Sequence, residues 1–487
     1  MKKLLLIGAA TLIVSNSTFA GDYLTNTNQH AAYLRMVARG AAIDVDGVYS
    51  NPAGLAFLPK DGIYLGLTIQ SAYQTRDINA NSALWTMDGK ETNREYKGKA
   101  SAPVIPSFHA AYKKGDWTIS GGFAVVGGGG KASFDQGLPM FDAAAIGLVT
   151  QATAGLRQNF GYAMTPDKSN IQTAMEGRQF IYGIQLGLTY KITEHVSFFA
   201  GARMNYFSGG YNGFLKLALN QNTATELGTA IIGKYMAAGM TKEQATAQAQ
   251  GIMQPMQQQL EQTKIELDCD QTGWGLTPIV GFDAKFGRLN LATKYEFRAN
   301  MNIENDTRTL EYPEAAKAYM APFENGVNTP SDIPSMLTAA AQYEILPTLR
   351  AAVEYHFFDD KRAGMANGKQ KKLKRGTHEY LGGLEWDATS QLTLSGGFQK
   401  TSYGLSDEFQ GDTSFYCSSY SLGFGARLHF SERLSLDVAY FWTNYKDYEK
   451  AGVRNSTLTA MQLPTTNDKD VYSRSNKVFG VSLNYNF

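Results

Sequence analysis

The last residues of the chain show the pattern that recurs through most of it: Phe479, Val481, Leu483, Tyr485 and Phe487 alternate with Gly480, Ser482, Asn484 and Asn486. Apolar residues at every second position give a strand one face suited to hydrocarbon and one suited to water. Upstream, Leu434, Leu436, Val438, Tyr440 and Trp442 are set against Ser435, Asp437, Ala439 and Thr443. Tyr420, Leu422, Phe424, Ala426 and Leu428 are set against Ser421, Gly423, Gly425, Arg427 and His429. Leu289, Leu291, Thr293, Tyr295 and Phe297 oppose Asn290, Ala292, Lys294, Glu296 and Arg298, and Leu349, Ala351, Val353, Tyr355 and Phe357 oppose Arg350, Glu354 and His356.

Applied throughout, this alternation predicts fourteen strands at 62–75, 104–113, 117–127, 179–193, 195–209, 272–286, 288–303, 335–345, 347–360, 377–388, 391–403, 416–430, 433–446 and 473–487. The connections near Gly115, Glu194, Gly287, Leu346, Ser390 and Glu432 are short. Those at 76–103, 128–178, 210–271, 304–334, 361–376, 404–415 and 447–472 are long. An even strand count with short and long connections in strict alternation is the layout of a bacterial transmembrane barrel, with short periplasmic turns and long extracellular loops. A soluble β-sandwich also alternates. The aromatic enrichment near strand ends and the charges of both signs in mid-strand favour a barrel with a lipid girdle and an enclosed polar lumen.

Composition agrees with that choice. There are 49 glycines in 487 residues, above the ~7% usual in soluble proteins. Tyr and Phe number 27 and 26, and the mean hydropathy is −0.28. A barrel shows lipid-facing and lumen-facing residues in equal measure, so its average looks unremarkable. The net charge of +1 argues against a nucleic-acid partner. Cys269 and Cys417 permit at most one disulfide, and they fall near the extracellular ends of strands 6 and 12, so only folded loops would bring them into bonding reach.

Residues 1–20 have the form of a signal peptide, with Lys2 and Lys3, an apolar run from Leu4 to Val14 and the small-residue site Thr18-Phe19-Ala20. The mature chain is expected to begin near Gly21. The longest later apolar run, Ala143 to Leu156, is too short and too interrupted for a membrane-spanning helix of ~20 residues.

Between the signal and the first strand, residues 21–61 contain Arg39-Gly40-Ala41-Ala42-Ile43-Asp44 and then Asn51-Pro52-Ala53-Gly54. Proline fixes φ and forces the preceding residue out of the α region, so Asn51-Pro52 marks a turn, and the small residues after it suit close packing on a wall. A short helix is predicted over 31–42, with Arg35 and Arg39 available to carboxylates. With Gly40-Ala41-Ala42, Asp44 and Asn51-Pro52-Ala53 ahead of fourteen strands, the chain resembles the FadL/TodX-type family of outer-membrane long-chain fatty-acid and hydrocarbon transporters.

That resemblance implies an all-β fold: a 14-stranded antiparallel transmembrane β-barrel (62–487) with residues 21–61 as a hatch inside the lumen, in a Gram-negative outer membrane. It implies gating around Arg39, Gly40, Asp44, Asn51, Pro52, Ala53 and Gly54. It also implies a kinked third strand beside the hatch as a lateral exit for apolar cargo. Here that strand carries Gly121 and Gly122 in its middle and Gly127 and Gly128 at its end, the latter alternatively the start of a flexible loop.

Loops 210–271 and 304–334 are candidate capture sites. Thr241-Lys-Glu-Gln244 has the form of a helix capping box, flanked by Leu227, Ile231, Tyr235 and Met236 and by Ile252, Met253, Met256 and Leu260 at helical spacing. A methionine-rich face adapts to varied greasy ligands, together with Leu310, Tyr312, Tyr319, Met320 and Phe323; the same residues also suit helices packed on one another as a cap. Phe199, Phe207, Phe358 and Phe441 fall on inward positions, either as an apolar lumen site or as packing for the hatch. The basic run Gly368 to Arg375 would face lipopolysaccharide phosphates or plain solvent. Phe487, closing an alternating strand, resembles the terminal aromatic that signals to the barrel-assembly machinery in outer-membrane barrels, and it equally suits an ordinary lipid-facing position.

No metal-ligand spacing, nucleophile elbow or nucleotide loop is present, so no enzyme, metal or cofactor is expected. The reading that follows is a monomeric passive transporter of hydrophobic small molecules. The alternatives are a diffusion porin for polar solutes and a surface adhesin.

Overall fold

The computed structural model describes residues 25–88, 91–146, 159, 169–219, 221–262, 264–313 and 316–487. The predicted signal peptide lies outside the described residues, as do 147–158 and 160–168 of the predicted loop 128–178. Strands β1 (Gly62–Asn81), β2 (Asn93–Lys114), β3 (Trp117–Phe134), β4 (Ser169–Lys191), β5 (Val196–Leu219) and β6 (Ile265–Phe286) form the first part of the wall. They are followed by β7 (Leu289–Glu296 and Asn302–Glu311), β8 (Asn328–Pro330 and Met336–Leu346), β9 (Leu349–Phe358) and β10 (Thr377–Thr389). The wall ends with β11 (Leu392–Ser402), β12 (Ser419–His429), β13 (Leu434–Tyr445 and Tyr448–Ala451) and β14 (Lys469–Asn486). Of seventeen hydrogen-bonded segments, three prolong a neighbour across a break, which leaves fourteen antiparallel staves. The cylinder closes where β1 meets β14, from Tyr64 opposite Asn486 to Asn81 opposite Lys469. A closed barrel leaves no strand edge unpaired, which is what a bilayer without water demands of a sheet.

The outward positions predicted by alternation carry the apolar load. Leu67, Ile69, Val438, Phe479, Val481 and Leu483 are all exposed, as a lipid-facing surface requires. Trp117, Tyr190, Phe286, Trp386, Phe430 and Phe487 ring the end with short turns, and Tyr73, Trp274, Tyr380 and Tyr420 stand nearer the other. Aromatic rings at these two levels match the interfacial girdles of a transmembrane barrel. The turns after β2 and β6 are tight because Gly115 (φ +60°) and Gly287 (φ +57°) accept the left-handed conformation.

Strands on the long-loop side run further than predicted: β1 continues to Asn81, β2 starts at Asn93 and β5 reaches Leu219. Above the membrane neither face meets lipid, so the ladder extends where the alternation of greasy residues stops. In the predicted loop 210–271 the helices α2 (Gln221–Ala237) and α3 (Lys242–Glu261) form a hairpin. Thr241 and Gln244 exchange hydrogen bonds at the start of α3 in a capping box, 3.1 and 3.3 Å.

Residues 25–61 lie inside the cylinder. Their one α-helix, α1, covers only Ala31–Arg35, shorter than the predicted 31–42. His30 caps it by accepting from the Ala32 N–H at 3.0 Å, and Met36, at φ −151°, is already extended. Two glycines of the wall make room for it. A Cβ at Gly423 would sit 2.2 Å from the Leu34 carbonyl oxygen, and one at Gly480 would sit 2.5 Å from Leu34 Cδ1.

Candidate functional site

The lumen is polar because β-strand alternation sends every second residue inward, and the inner segment meets that polarity with ions of its own. Arg35, fully buried, donates to Asp437 of β13 at 2.7 Å, to Glu385 of β10 and to Ser395 of β11. Asp437 also holds Arg427 of β12 through a two-point pair at 2.9 Å, and Arg427 reaches Asp44 of the inner segment at 2.5 Å. Arg39 forms a two-point pair with Asp46 at 2.8 Å, with Asp44 at 3.5 Å and Glu385 at 3.6 Å beyond it. Burial disfavours the charge on both members of that pair. Each overrides the penalty on the other, so the Arg39 guanidinium sits well above its ordinary pKa and the Asp46 carboxyl below the usual carboxylate range. Burial pushes the His30 imidazole down against the pull of Asp46.

The predicted hatch residues have these contacts. The Gly40 N–H donates to Glu354 of β9 at 2.7 Å, and Glu354 is bound in turn to His356 and through it to Glu379. A Cβ at Gly40 would lie 2.7 Å from that carboxylate and 2.9 Å from Ala340 Cβ, so any larger residue there must displace the Glu354 side chain from its bond. Asn51 donates to Asp283 of β6 at 2.6 Å and accepts from the Gly54 N–H at 3.2 Å, capping the turn that Pro52 begins. The Pro52 carbonyl accepts from Thr189 of β4 and the Ala53 carbonyl from Ser197 of β5, both at 2.7 Å. Asn51-Pro52-Ala53 therefore docks on β4 to β6, and among the described residues none of the three hydrogen-bonds to β3. A short motif of this kind shows that a turn will pack closely but not against which strands.

A different part of the inner segment meets β3. Asn26 donates its N–H to the Val126 carbonyl at 2.8 Å and its side chain to the Gly128 carbonyl at 3.2 Å, and Thr25 pairs with Gly127 as an antiparallel bridge. They sit at a break in the wall. Strands β2 and β3 pair from Lys99 to Ser101 against Ser133 to Lys131, and again from Phe108 against Phe123 onward, while 102–107 and 124–130 have no ladder partners in each other. Gly128 (φ +103°) and Gly130 (φ +79°) take conformations closed to most residues, and β3 is also bulged against β4 at Val125, Gly127 and Gly130. Gly127 and Gly128 thus lie in the break. Gly121 and Gly122 correct the expectation: both stand in regular ladder, opposite Ala110 and His109. Pro103 and Pro106, which cannot donate to a ladder, were the sequence signal for this break on β2, and sequence reasoning passed over them. It also passed over Thr25, Asn26 and the acceptors of Arg35.

Above the inner segment lie two adjoining cavities. One, of about 80 Å³, is almost wholly apolar and is walled by Met140, Phe141, Phe214, Leu267, Met320 and Phe323 among others. The other, of about 60 Å³, is lined by Arg76, Gly130, Phe134, Gln179, Ser414 and Tyr416 among others. They share Met175, Tyr211 and Thr413, and Gly130 places the second beside the break in the wall.

The remaining predicted ligand residues divide. Phe323 lines the apolar cavity, and the side chain of Tyr319 lies outside the described residues. Met253 and Met256 do not reach it: they pack with Leu227, Ile231 and Ala249 within the α2/α3 hairpin, while Met236 is exposed. The hairpin's own core absorbs them. The four inward phenylalanines line neither cavity. Phe199 is fully buried against Ala53 and Ile279, Phe207 packs with Tyr49 and Val126, Phe441 packs with Tyr33, and Phe358 stands edge-on to His356. Cys269 and Cys417 are both free and buried.

No family model matches this sequence, and no curated protein matches it either. Among solved structures, a FadL homologue from Pseudomonas aeruginosa superposes with a TM-score of 0.60 over 96% of this chain and 100% of its own, at 13% identity. The toluene transporter TbuX of Ralstonia pickettii gives 0.53 over 95% and 99% at 12% identity. The toluene transporter TodX of Pseudomonas putida gives 0.50 over 98% and 100% at 13% identity. At such identities what is shared is the fold, end to end: a fourteen-stranded barrel.

Proposed function

We propose that this chain is a passive channel that carries hydrophobic small molecules across an outer membrane, with residues 21–61 as its hatch. Cargo enters the apolar cavity at the loop end, passes into the second cavity beside Gly130, and leaves sideways into the bilayer between β2 and β3 when residues 25–28 withdraw from the break. The observation that carries this reading is the interrupted β2/β3 ladder, which the Thr25 and Asn26 contacts close from inside. Partition from water into lipid supplies the driving force, so no energy source is needed. The likeness in fold to proteins titled as toluene transporters and a FadL homologue supports the reading. A porin for polar solutes fits less well with a lumen crossed by paired ions and filled by packed phenylalanines.

The test is a reversible lock. Cysteines at Thr25 and Gly127, which face each other across an antiparallel bridge, are within the geometry of a disulfide. Uptake of a labelled hydrophobic solute into cells that express the oxidised variant should fall to background and return on reduction. Equal uptake in both states would rule out a lateral route past the hatch.

A further inference from the structure

A second interruption of the wall lies between β6 and β7. These strands pair from Phe286 to Ile279 against Leu289 to Glu296, and again from Trp274 against Asn302 onward. Between the two ladders 275–278 face 297–301, and the Phe297 N–H donates to the Pro278 carbonyl at 2.9 Å. The extra residue on β7 makes a bulge, and a bulge re-aims the side chains beyond it. Phe297 and Arg298 are both exposed, where strict alternation puts Arg298 inside. From there on Ala299, Met301 and Ile303 pack inward with Phe207 and Tyr49, while Arg298, Asn300, Asn302 and Glu304 are exposed on the outer face. Asn302 stands opposite Trp274, at the aromatic level nearer the long loops, so Arg298 and Asn300 lie on the bilayer side of it. Polar groups set toward lipid without partners are costly.

These residues border a groove of about 970 Å³ whose other side is apolar, formed by Tyr206, Trp274, Leu276 and Phe297, all exposed. Asn328, opposite Glu304 in the ladder, extends the polar side. The side chains of Asn300, Asn302, Glu304 and Asn328 hydrogen-bond to nothing among the described residues. The Arg298 guanidinium donates to the Arg362 carbonyl at 2.5 Å and lies 3.7 Å from Asp332. One cation and one acid, Arg298 and Glu304, line the groove, so its charges balance and do not select an anion. It is continuous with the lipid-facing surface, so its occupant comes from the bilayer. We infer that it binds a glycolipid of the outer leaflet. The sugar ring lies against Trp274 with its hydroxyls among Asn300, Asn302, Asn328 and Glu304, and an acyl chain runs along Leu276 and Phe297. Amides and carboxylates offer the donors and acceptors that neighbouring hydroxyls need. The slightly positive C–H face of a sugar suits the negative face of an aromatic ring, and Trp274, 68% exposed, presents one. The volume falls near the top of the range of about 300–1,000 Å³ for small-molecule sites, room for a sugar ring and part of a chain.

The experiment places the full chain in phosphatidylcholine nanodiscs with equal trace amounts of dioleoyl glucosylglycerol, dioleoyl phosphatidic acid and dioleoylglycerol, which share their tails. Native mass spectrometry then counts the lipids that stay with the protein on transfer to detergent. Wild-type protein should retain the glucosyl lipid at least about tenfold over the other two, the scale set by two net hydrogen bonds. The double variant Asn300→Leu/Asn302→Leu should retain all three alike. Trp274→Leu, which keeps the apolar wall and removes the ring, should lose part of the preference. The heat-dependent mobility of the barrel on gels monitors folding in each. Equal retention of the three lipids by wild type, or a preference for phosphatidic acid, overturns the sugar site, and a preference left intact in the double variant removes it from this groove. Displacement of the glucosyl lipid by free glucose would show a soluble saccharide as the occupant and the lipid as wrong. None of these side chains faces the lumen, so each of these outcomes leaves the channel reading untouched.

Discussion

Replacing Arg35 with methionine isolates what holds the inner segment in place. The change removes hydrogen bonds to Asp437, Glu385 and Ser395 from a residue with no solvent exposure. Breaking one side of a buried ion pair costs roughly 3–5 kcal/mol when the surviving charge is stranded. Here neither survivor is stranded. Asp437 keeps Arg427 at 2.9 Å and the Asn484 amide at 2.7 Å, and Glu385 keeps Arg350 at 3.1 Å. The loss should therefore lie near the lower end, about 3 kcal/mol, and should fall on docking of the inner segment and not on the wall. At ~1.4 kcal/mol per factor of ten, that shifts the docked-to-undocked balance by about 10²-fold. Hydrogen exchange in nanodiscs reads it directly: amides such as Ala31 and Gly40, which donate to Ser482 and Glu354, should exchange about a hundred times faster. Barrel amides and gel mobility should not change. If the inner segment keeps its protection while the barrel stays folded, the ionic contacts are not what retains it.

Three further outcomes follow from the same geometry. Gly128→Val forces a β-branched residue to φ +103° with its Cβ 2.3 Å from the Gln179 carbonyl oxygen, and should lower stability by about 2 kcal/mol or more in thermal unfolding. Phe199→Ala empties a fully buried site between Ala53 and Ile279 and should cost about 3–5 kcal/mol by the same measurement. The Asp46 carboxyl is held below its unfolded value, so its contribution is complete above about pH 4 and is lost as pH falls through the depressed folded value. Exchange protection of residues 39–47 should therefore be level from pH 7 to about pH 4.5 and should decline only in stronger acid; a decline near neutrality would contradict the pairing with Arg39.

The wall was legible because lipid imposes a strict rule on every second residue, as in Val438, Tyr440 and Trp442, and because turns such as Gly115 and Gly287 punctuate it. Where the rule lapses, legibility went with it. Arg94 to Lys99 form part of β2, yet Arg94, Glu95, Lys97 and Lys99 leave the buried Tyr96 as the stretch's one apolar side chain, so it reads as loop. The site was harder to read because its meaning lies in pairs far apart in sequence. Asp44 and Arg427, or Asn26 and Val126, are each ordinary residues until the fold joins them. The methionines of the α2/α3 hairpin show the converse: helical spacing was plain, but spacing alone does not say whether an apolar face turns to a ligand or to its sister helix.

The attachments of residues 25–61 are unequal around the cylinder. Toward β6 to β13 they include charged partners: Asp283, Lys294, Glu354, Glu385, Arg427 and Asp437. Toward β1 to β5 residues 25–58 hydrogen-bond to neutral groups, Gln70, Ser107, Val126, Gln185, Thr189 and Ser197, and the charged pair of Asp61 with Lys113 of β2, at 3.1 Å, lies at the foot of the wall beside the Gly115 turn. Charge-assisted bonds are roughly twice as strong as neutral ones. A disturbance of the whole segment would thus tear along its weak margin first, swinging the stopper about its ionic side like a door on its jamb, and the margin that yields is the one that faces the seam between β2 and β3.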